Sequence, residues 1–343
     1  MKYIRILFCA AFAILFFSCS KKESGSINNT PPSNLVVNAT VNPDNSGNVS
    51  FAASADNAVS YDYDFGNGVF QTVASGNVTY KYLSSGTYTI NVIAKSAGGQ
   101  IISKSITLTV RVVLGLLWSD EFDKNGAPDP AKWDYDLGIG TGGWGNAELQ
   151  YYTSRRENSV VENGVLKIKA IKESYSGSAY TSARLVSRGK FAFKYGKVEA
   201  RAKLPAGGGT WPAIWMLGNN IGTVSWPACG EIDIMEHVGN DLNKIYGTLH
   251  YPGRSGGNAD GGNKIIPNVT TDFHIYSLEW SPASIKMFAD DQLIHSVANS
   301  SSLPFNQDFF FILNVAMGGN FGGTVDAAFT NAALEIDYIR VYQ

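Results

Sequence analysis

The segment Gly230-Glu231-Ile232-Asp233-Ile234-Met235-Glu236-His237 places three carboxylates within six residues of an otherwise apolar, branched run. Ile-rich sequence of this kind favours a half-buried strand. Burying three acids on a strand costs free energy and brings the fold no evident gain. Two carboxylates held close together are, however, what cleavage of a glycosidic bond requires. A solvent-facing acidic stripe or an incidental metal site is the bland alternative. The apolar, Trp-rich flanks of the segment count against it.

Side chains alternate along a strand, so Glu231 and Asp233 share a face while Glu236 is out of phase by one residue. A β-bulge absorbing one residue near Met235 restores the phase and puts all three acids on one face. The two glutamates then stand ~13 Å apart at Cα. Side chains leaning inward shorten that span toward the ~5–5.5 Å of a retaining glycosidase. Three like charges this close cannot all ionise freely, so at least one pKa rises. A raised pKa is what a general acid needs near neutral pH.

The elements that must position these acids are strands. Gly (36 residues) and aromatics (12%) are plentiful and charged residues are only 16%, which suits an all-β protein with many turns and an aromatic-lined surface. Lys and Arg total 27 against 29 Asp and Glu, with no basic run interleaved with aromatics, which excludes nucleic acid as a partner. Lys197-Val198-Glu199-Ala200-Arg201-Ala202-Lys203-Leu204 alternates charged and apolar residues without a slip, marking a strand with one wet face. Leu166–Ala170 repeats the pattern, and 284–288 with 292–297 flank Asp290-Asp291 as a hairpin. No long stretch carries a helical period. From residue 113 onward, short strands with Gly-rich connections predict a β-jelly-roll sandwich spanning 113–343.

The 343 residues suggest two domains plus a targeting segment. A basic start and a short apolar run to Phe17 read as a signal segment over 1–18, too short to span a bilayer. Ser18-Cys19 resembles the lipobox of bacterial lipoproteins, which implies an acylated Cys19, membrane attachment through lipid, and a place on the outer-membrane surface of the cell envelope. Residues 19–33 read as a flexible polar tether. With Cys9 in the signal and Cys19 lipidated, Cys229 is left alone, a small packing residue with no disulfide partner. Strand-like segments at 35–41, 48–53, 60–65, 86–94 and 101–113 form a small β-sandwich. Tyr63-Asp64-Phe65-Gly66-Asn67-Gly68, Tyr80-Lys81-Tyr82 and Gly86-Thr87-Tyr88-Thr89-Ile90 resemble the polycystic-kidney-disease-type immunoglobulin-like module over 34–112. It lacks a clear surface Trp for stacking on sugar and reads as a spacer.

The larger domain resembles glycoside hydrolase family 16 on its laminarinase-like side. The resemblance rests on Trp118-Ser119-Asp120-Glu121-Phe122-Asp123, Gly145–Tyr152, Tyr195–Arg201, Trp211-Pro212-Ala213-Ile214-Trp215-Met216-Leu217, the Glu-x-Asp-x-x-Glu pattern of 231–236, Gly318-Gly319-Asn320 and Ile336–Tyr342. It implies Glu231 as nucleophile, Glu236 as acid/base and Asp233 as assisting acid, with no cofactor for catalysis. The implied substrate is a β-1,3-glucan or a mixed β-1,3/1,4-glucan, cut within the chain by a monomeric enzyme. The extra residue Met235 speaks against xyloglucan, whose enzymes carry a shorter acidic motif.

Trp211, Trp215 and Trp226 flank the acids as sugar platforms, with core packing an equal reading for Trp215. Asn146, Arg184 and His250 resemble positions that hydrogen-bond sugar hydroxyls, and His250 also stands as a candidate to tune Glu236. The resemblance further implies a structural Ca²⁺ on the convex side, held by Glu121, the Gly164 carbonyl and Asp337. Three rivals share parts of this pattern: a catalytically dead glycan binder, a transglycosylase on the same glucans, and an enzyme for agarose or a sulfated galactan. The complete acid set disfavours the first. The last needs basic subsites, for which the cleft segments offer chiefly Arg184.

Overall fold

The computed structural model describes residues 30–343. Cys19, the signal segment and most of the tether lie outside the described residues. The chain forms a small and a large β-sandwich in succession.

The small sandwich packs a three-stranded sheet (Ser33–Val41, Asn48–Asp56, Asn77–Lys81) on a four-stranded one (Phe70–Val73, Ser60–Asp64, Gly86–Lys95, Ile101–Val110). Phe51, Tyr63, Phe65, Tyr82, Ile90 and Val92 fill its core. The strands Phe70–Val73 and Asn77–Lys81, not expected from sequence, are short edge strands that face solvent over most of their length. Edge strands bury little, so their hydrophobic alternation is weak. The module touches the larger sandwich through Ala283, which packs on its core, and through Ser84, which donates to Glu279.

The large sandwich is a jelly roll of two sheets. The outer, ten-stranded sheet has Asn331–Tyr342, Gly196–Lys203 and His274–Trp280 at its centre. The alternating segment behaves as its sequence predicts: Val198, Ala200 and Ala202 are fully buried, while Lys197 pairs with Glu199 at 2.8 Å and Lys203 with Glu335 at 3.2 Å outside. The predicted hairpin turns at Asp290-Asp291, whose φ values of 46° and 63° fit a type I′ turn. The inner, seven-stranded sheet runs in the order Asp260–Ile265, Lys244–His250, Glu231–His237, Thr210–Gly218, Phe309–Met317, Arg184–Val186, Asp134–Tyr135. Ile232, Ile234, Met235, Ile214, Met216 and Leu313 from this sheet meet Leu278, Trp280, Ile285, Met287 and Ile339 from the outer one. Each such side chain contributes about 1.5–3 kcal/mol on burial, which holds the inner sheet firmly against the outer one.

Candidate active site

The acidic strand Glu231–His237 owes its chemistry to an irregularity in its pairing. Against Thr210–Gly218, Met235 faces Ile214 and Asp233 faces Trp215, leaving Ile234 without an opposite residue. Against Lys244–His250, Asp233 faces Thr248 and Glu236 faces Tyr246, so Ile234 and Met235 together oppose Gly247. Two residues against one is a β-bulge, at the place the acid spacing demands. Ile234 and Met235 both enter the core, fully buried. Gly247 opposite them has no room for a side chain, since a Cβ there would stand 2.7 Å from Met287 Sδ. Glu236 thereby joins Glu231 and Asp233 on the cleft face.

Each glutamate is held by a tryptophan. Trp226 Nε1 donates to Glu231 Oε2 at 2.8 Å, and Trp211 Nε1 donates to Glu236 Oε1 at 3.0 Å. Thr248 Oγ1 adds a bond to Glu236 Oε2 at 3.2 Å. Asp233 sits between, hydrogen-bonded to Glu231 and almost wholly buried. Burial pushes all three carboxyls up. Glu231 rises to about 8, through burial first and the Asp233 charge second. Asp233 rises well above the carboxylate range, through burial and then Glu236. Burial also raises Glu236, against the opposing pull of Trp211, His250 and Thr248. The three titrate as one unit, and near neutral pH that unit retains at least one proton.

The structure brings His250 to the acids. Its Nε2 stands 3.2 Å from Asp233 Oδ2 and 3.7 Å from Glu231 Oε1, and it reaches Glu236 only through space. The contact with Asp233 is close but not aligned as a hydrogen bond, so Asp233 Oδ2 has no hydrogen-bond partner.

The floor continues away from the acids across two strands. Glu236 faces Ala213, Ala213 faces Asn314, and Asn314 faces Arg184. Trp215 opposes Asp233 across the strand pair but gives its indole N–H to another partner. Its Nε1 donates to Asn314 Oδ1 at 2.7 Å, and its half-buried ring lies under the Arg184 guanidinium at 4.8 Å. The Trp144 ring also lies 4.4 Å from the Arg184 guanidinium, and Asp136 accepts from its Nε at 3.2 Å. Asn146 stays clear of the acids: its amide donates to Glu148, which also accepts from Tyr152 Oη, which in turn accepts from Asn314.

Sequence reasoning missed Thr248, Asn314, Trp144 and Glu148. Thr248 was within reach, because it shares parity with His250 on Lys244–His250 and pairs with Asp233. The others join through contacts between distant segments and leave no local pattern.

The expected calcium ligands gather on the outer sheet. The Glu162–Val165 hairpin carries Gly164 beside the strand that bears Asp337, and Glu121 follows the strand paired to its end. Arg340 grips Glu121 at 3.0 and 2.7 Å, and Arg201 holds Asp337 at 2.5 Å. Both carboxylates are thus paired with arginines, while each keeps lone pairs beyond these bonds.

Comparison with known proteins agrees with this geometry. Residues 146–340 match the glycosyl hydrolases family 16, and residues 28–112 match the PKD domain. The chain is 49% identical over 244 residues to a beta-glucanase of Rhodothermus marinus, covering 66% of this chain and 85% of that one. The laminarinase structure from Rhodothermus marinus superposes with a TM-score of 0.64 at 50% identity, covering 67% of this chain and 98% of that one. The laminarinase catalytic domain of Thermotoga maritima gives 0.63 at 47% identity, with coverage of 67% and 98%. With its acids bulged onto one face of a jelly-roll cleft, this chain belongs to glycosyl hydrolase family 16.

Proposed function

We propose that this protein is an endo-β-1,3(4)-glucanase that hydrolyses laminarin-like or mixed-linkage glucans with retention of anomeric configuration. The single observation that carries the reading is the bulge at Ile234–Met235, which sets two tryptophan-held glutamates on one face with Asp233 between them. The relatives named as beta-glucanase and laminarinase support the choice of glucan.

In this reading Glu231 attacks the anomeric carbon while Glu236 protonates the departing glycosidic oxygen, giving a covalent glycosyl-enzyme. Glu236, now a carboxylate, takes a proton from water, and that water displaces Glu231. Asp233, buried between the two glutamates, shares the titration of the unit and tunes both. Trp226, exposed at 45%, offers its ring to a pyranose while its N–H stays on the nucleophile. Sugar binding by Asn146 and Arg184 belongs to the same proposal. A Ca²⁺ at Glu121, Gly164 and Asp337 would tie the first strand of the domain to the last and act on stability alone. The chain is taken to work as a monomer, which size-exclusion chromatography tests. Lipidation at Cys19 and a place on the outer-membrane surface rest on the sequence before residue 30. Replacing Cys19 with Ala tests them by releasing the protein into the soluble fraction.

The deciding experiment is a panel of laminarin, barley β-glucan, lichenan and agarose, read by oligosaccharide sizes and by proton NMR of the first-formed anomer. Early mixed oligosaccharides with the β-anomer from laminarin or a mixed-linkage glucan support the proposal. Turnover of agarose alone, glucose as sole early product, or an initial α-anomer refutes it.

A further inference from the structure

His250 is held from the side away from the acids. Its Nδ1 accepts the backbone N–H of Gly256 at 3.1 Å, so the neutral ring carries its proton on Nε2. Nε2 is the nitrogen that faces Asp233 and Glu231. The ionisable groups around the ring are Glu231, Asp233 and, through space, Glu236 from the acidic strand, with the Trp226 ring at 5.8 Å and Arg254 and Asp260 in the loop that follows His250. Gly256 has φ +55° and nothing within 4 Å of where a Cβ would stand. Packing at Gly256 therefore does not hold the segment in place.

The pairing of Leu249 with Asp260 and the Asn258 amide on the Gly253 carbonyl at 3.0 Å close the segment, and one carboxylate ties its side chains together. Asp260 Oδ2 accepts from Tyr251 Oη at 2.7 Å, and Oδ1 accepts from His295 Nε2 at 3.0 Å and lies 3.5 Å from Arg254 Nη2. Tyr251 and Arg254 exchange backbone bonds of 2.8 and 2.9 Å. Burial opposes the Asp260 charge, but Tyr251, His295 and Arg254 outweigh it and hold the group below the usual carboxylate range. Tyr251 directly follows His250, and Asp260 opens the next strand. Asp260 thus links Tyr251, at the start of the loop, to His295 on the outer-sheet strand Gln292–Ala298.

We propose that Asp260 is a positioning residue: it fastens loop 251–260 so that the Gly256 N–H fixes the Nε2–H tautomer of His250, and that proton stabilises the charge shared by Glu231 and Asp233, a role that rests on the glucanase reading. The test compares Asp260→Ala and the milder Tyr251→Phe with the wild type in the full chain. ¹⁵N NMR of the histidine rings, with His250→Gln for assignment, reads the tautomer. Laminarin kinetics across pH read the consequence. The wild type should show His250 as Nε2–H. Asp260→Ala should mix the tautomers, lower kcat about tenfold with little change in KM, and move the acid limb of kcat/KM upward, with Tyr251→Phe following in smaller measure. A folded Asp260→Ala that keeps the Nε2–H tautomer overturns the proposal, whether or not activity falls, and so does an unmoved acid limb. If Asp260→Ala does not fold, the same readouts on Tyr251→Phe decide. The tautomer measurement needs no substrate. A wild type with the expected tautomer and no glucan turnover would therefore sink the glucanase reading separately.

Discussion

Trp211→Phe and Trp226→Phe should move opposite limbs of the pH–rate profile in the same direction. Each substitution keeps an aromatic ring and deletes one N–H, the donor to Glu236 at 3.0 Å or to Glu231 at 2.8 Å. A hydrogen bond to a charged acceptor contributes about 1.5–3 kcal/mol, and about 1.4 kcal/mol is one pKa unit. Loss of the Trp211 donor should therefore raise the Glu236 side of the coupled unit by about one to two units. Trp226 is exposed enough for water to replace its N–H, so the Glu231 side should rise by only about half a unit. Glu236 works protonated, so Trp211→Phe carries the alkaline limb upward. Glu231 works ionised, so Trp226→Phe carries the acid limb upward and narrows the profile. The assay is kcat/KM on laminarin at ten or more pH values for the wild type and both variants. If Trp211→Phe moves the acid limb instead, the roles of the two glutamates are reversed. If neither limb moves, the indole donors do not set the titration of the unit.

Asp233→Asn removes the shared titration, so activity should fall less than in Glu231→Gln or Glu236→Gln while the profile shifts; an unchanged pH–rate curve counts against the coupling. Glu231 has a folded-state pKa of about 8, above its unfolded value, so the folded state binds the extra proton and loses stability as pH rises from ~4.5 toward 8. The Tm advantage of Glu231→Gln should accordingly widen from pH 5 to pH 8, and a constant difference would contradict this. His237 is fully buried with neither ring nitrogen bonded, and burial pushes it down to about 4. The stability it lends is present above its unfolded pKa of ~6.5 and lost as pH falls toward 4, about 3 kcal/mol in all; His237→Met should flatten that loss in urea melts at pH 4.5 against pH 7. Excess chelator should lower Tm while leaving initial rates intact, and an unchanged melt with no bound metal would remove calcium from the account.

The parts of this site that were legible in the sequence are those encoded by local periodicity. Period-two alternation in 197–204 fixed the wet and dry faces of a central strand, and the one-residue phase error between Asp233 and Glu236 implied a bulge. The structure places that bulge where two apolar residues, Ile234 and Met235, need to enter the core together. What alternation cannot carry is the partner of a side chain brought in by a separate segment. The sequence named Trp211, Trp226 and His250 as neighbours of the acids but could not say which acid each holds. Arg184 resembled a position that bonds sugar hydroxyls, but its packing against the Trp144 and Trp215 rings and its pairing with Asp136 could not be read from the sequence. Trp144 reaches it from a loop whose backbone has φ +56° at that residue, between glycines of equally positive φ. Such a conformation comes from the Gly-rich run around it, not from any hydrophobic pattern. The same holds for His250: its type and position were visible, while the nitrogen that carries its proton is set by a Gly256 backbone N–H and an aspartate ten residues downstream.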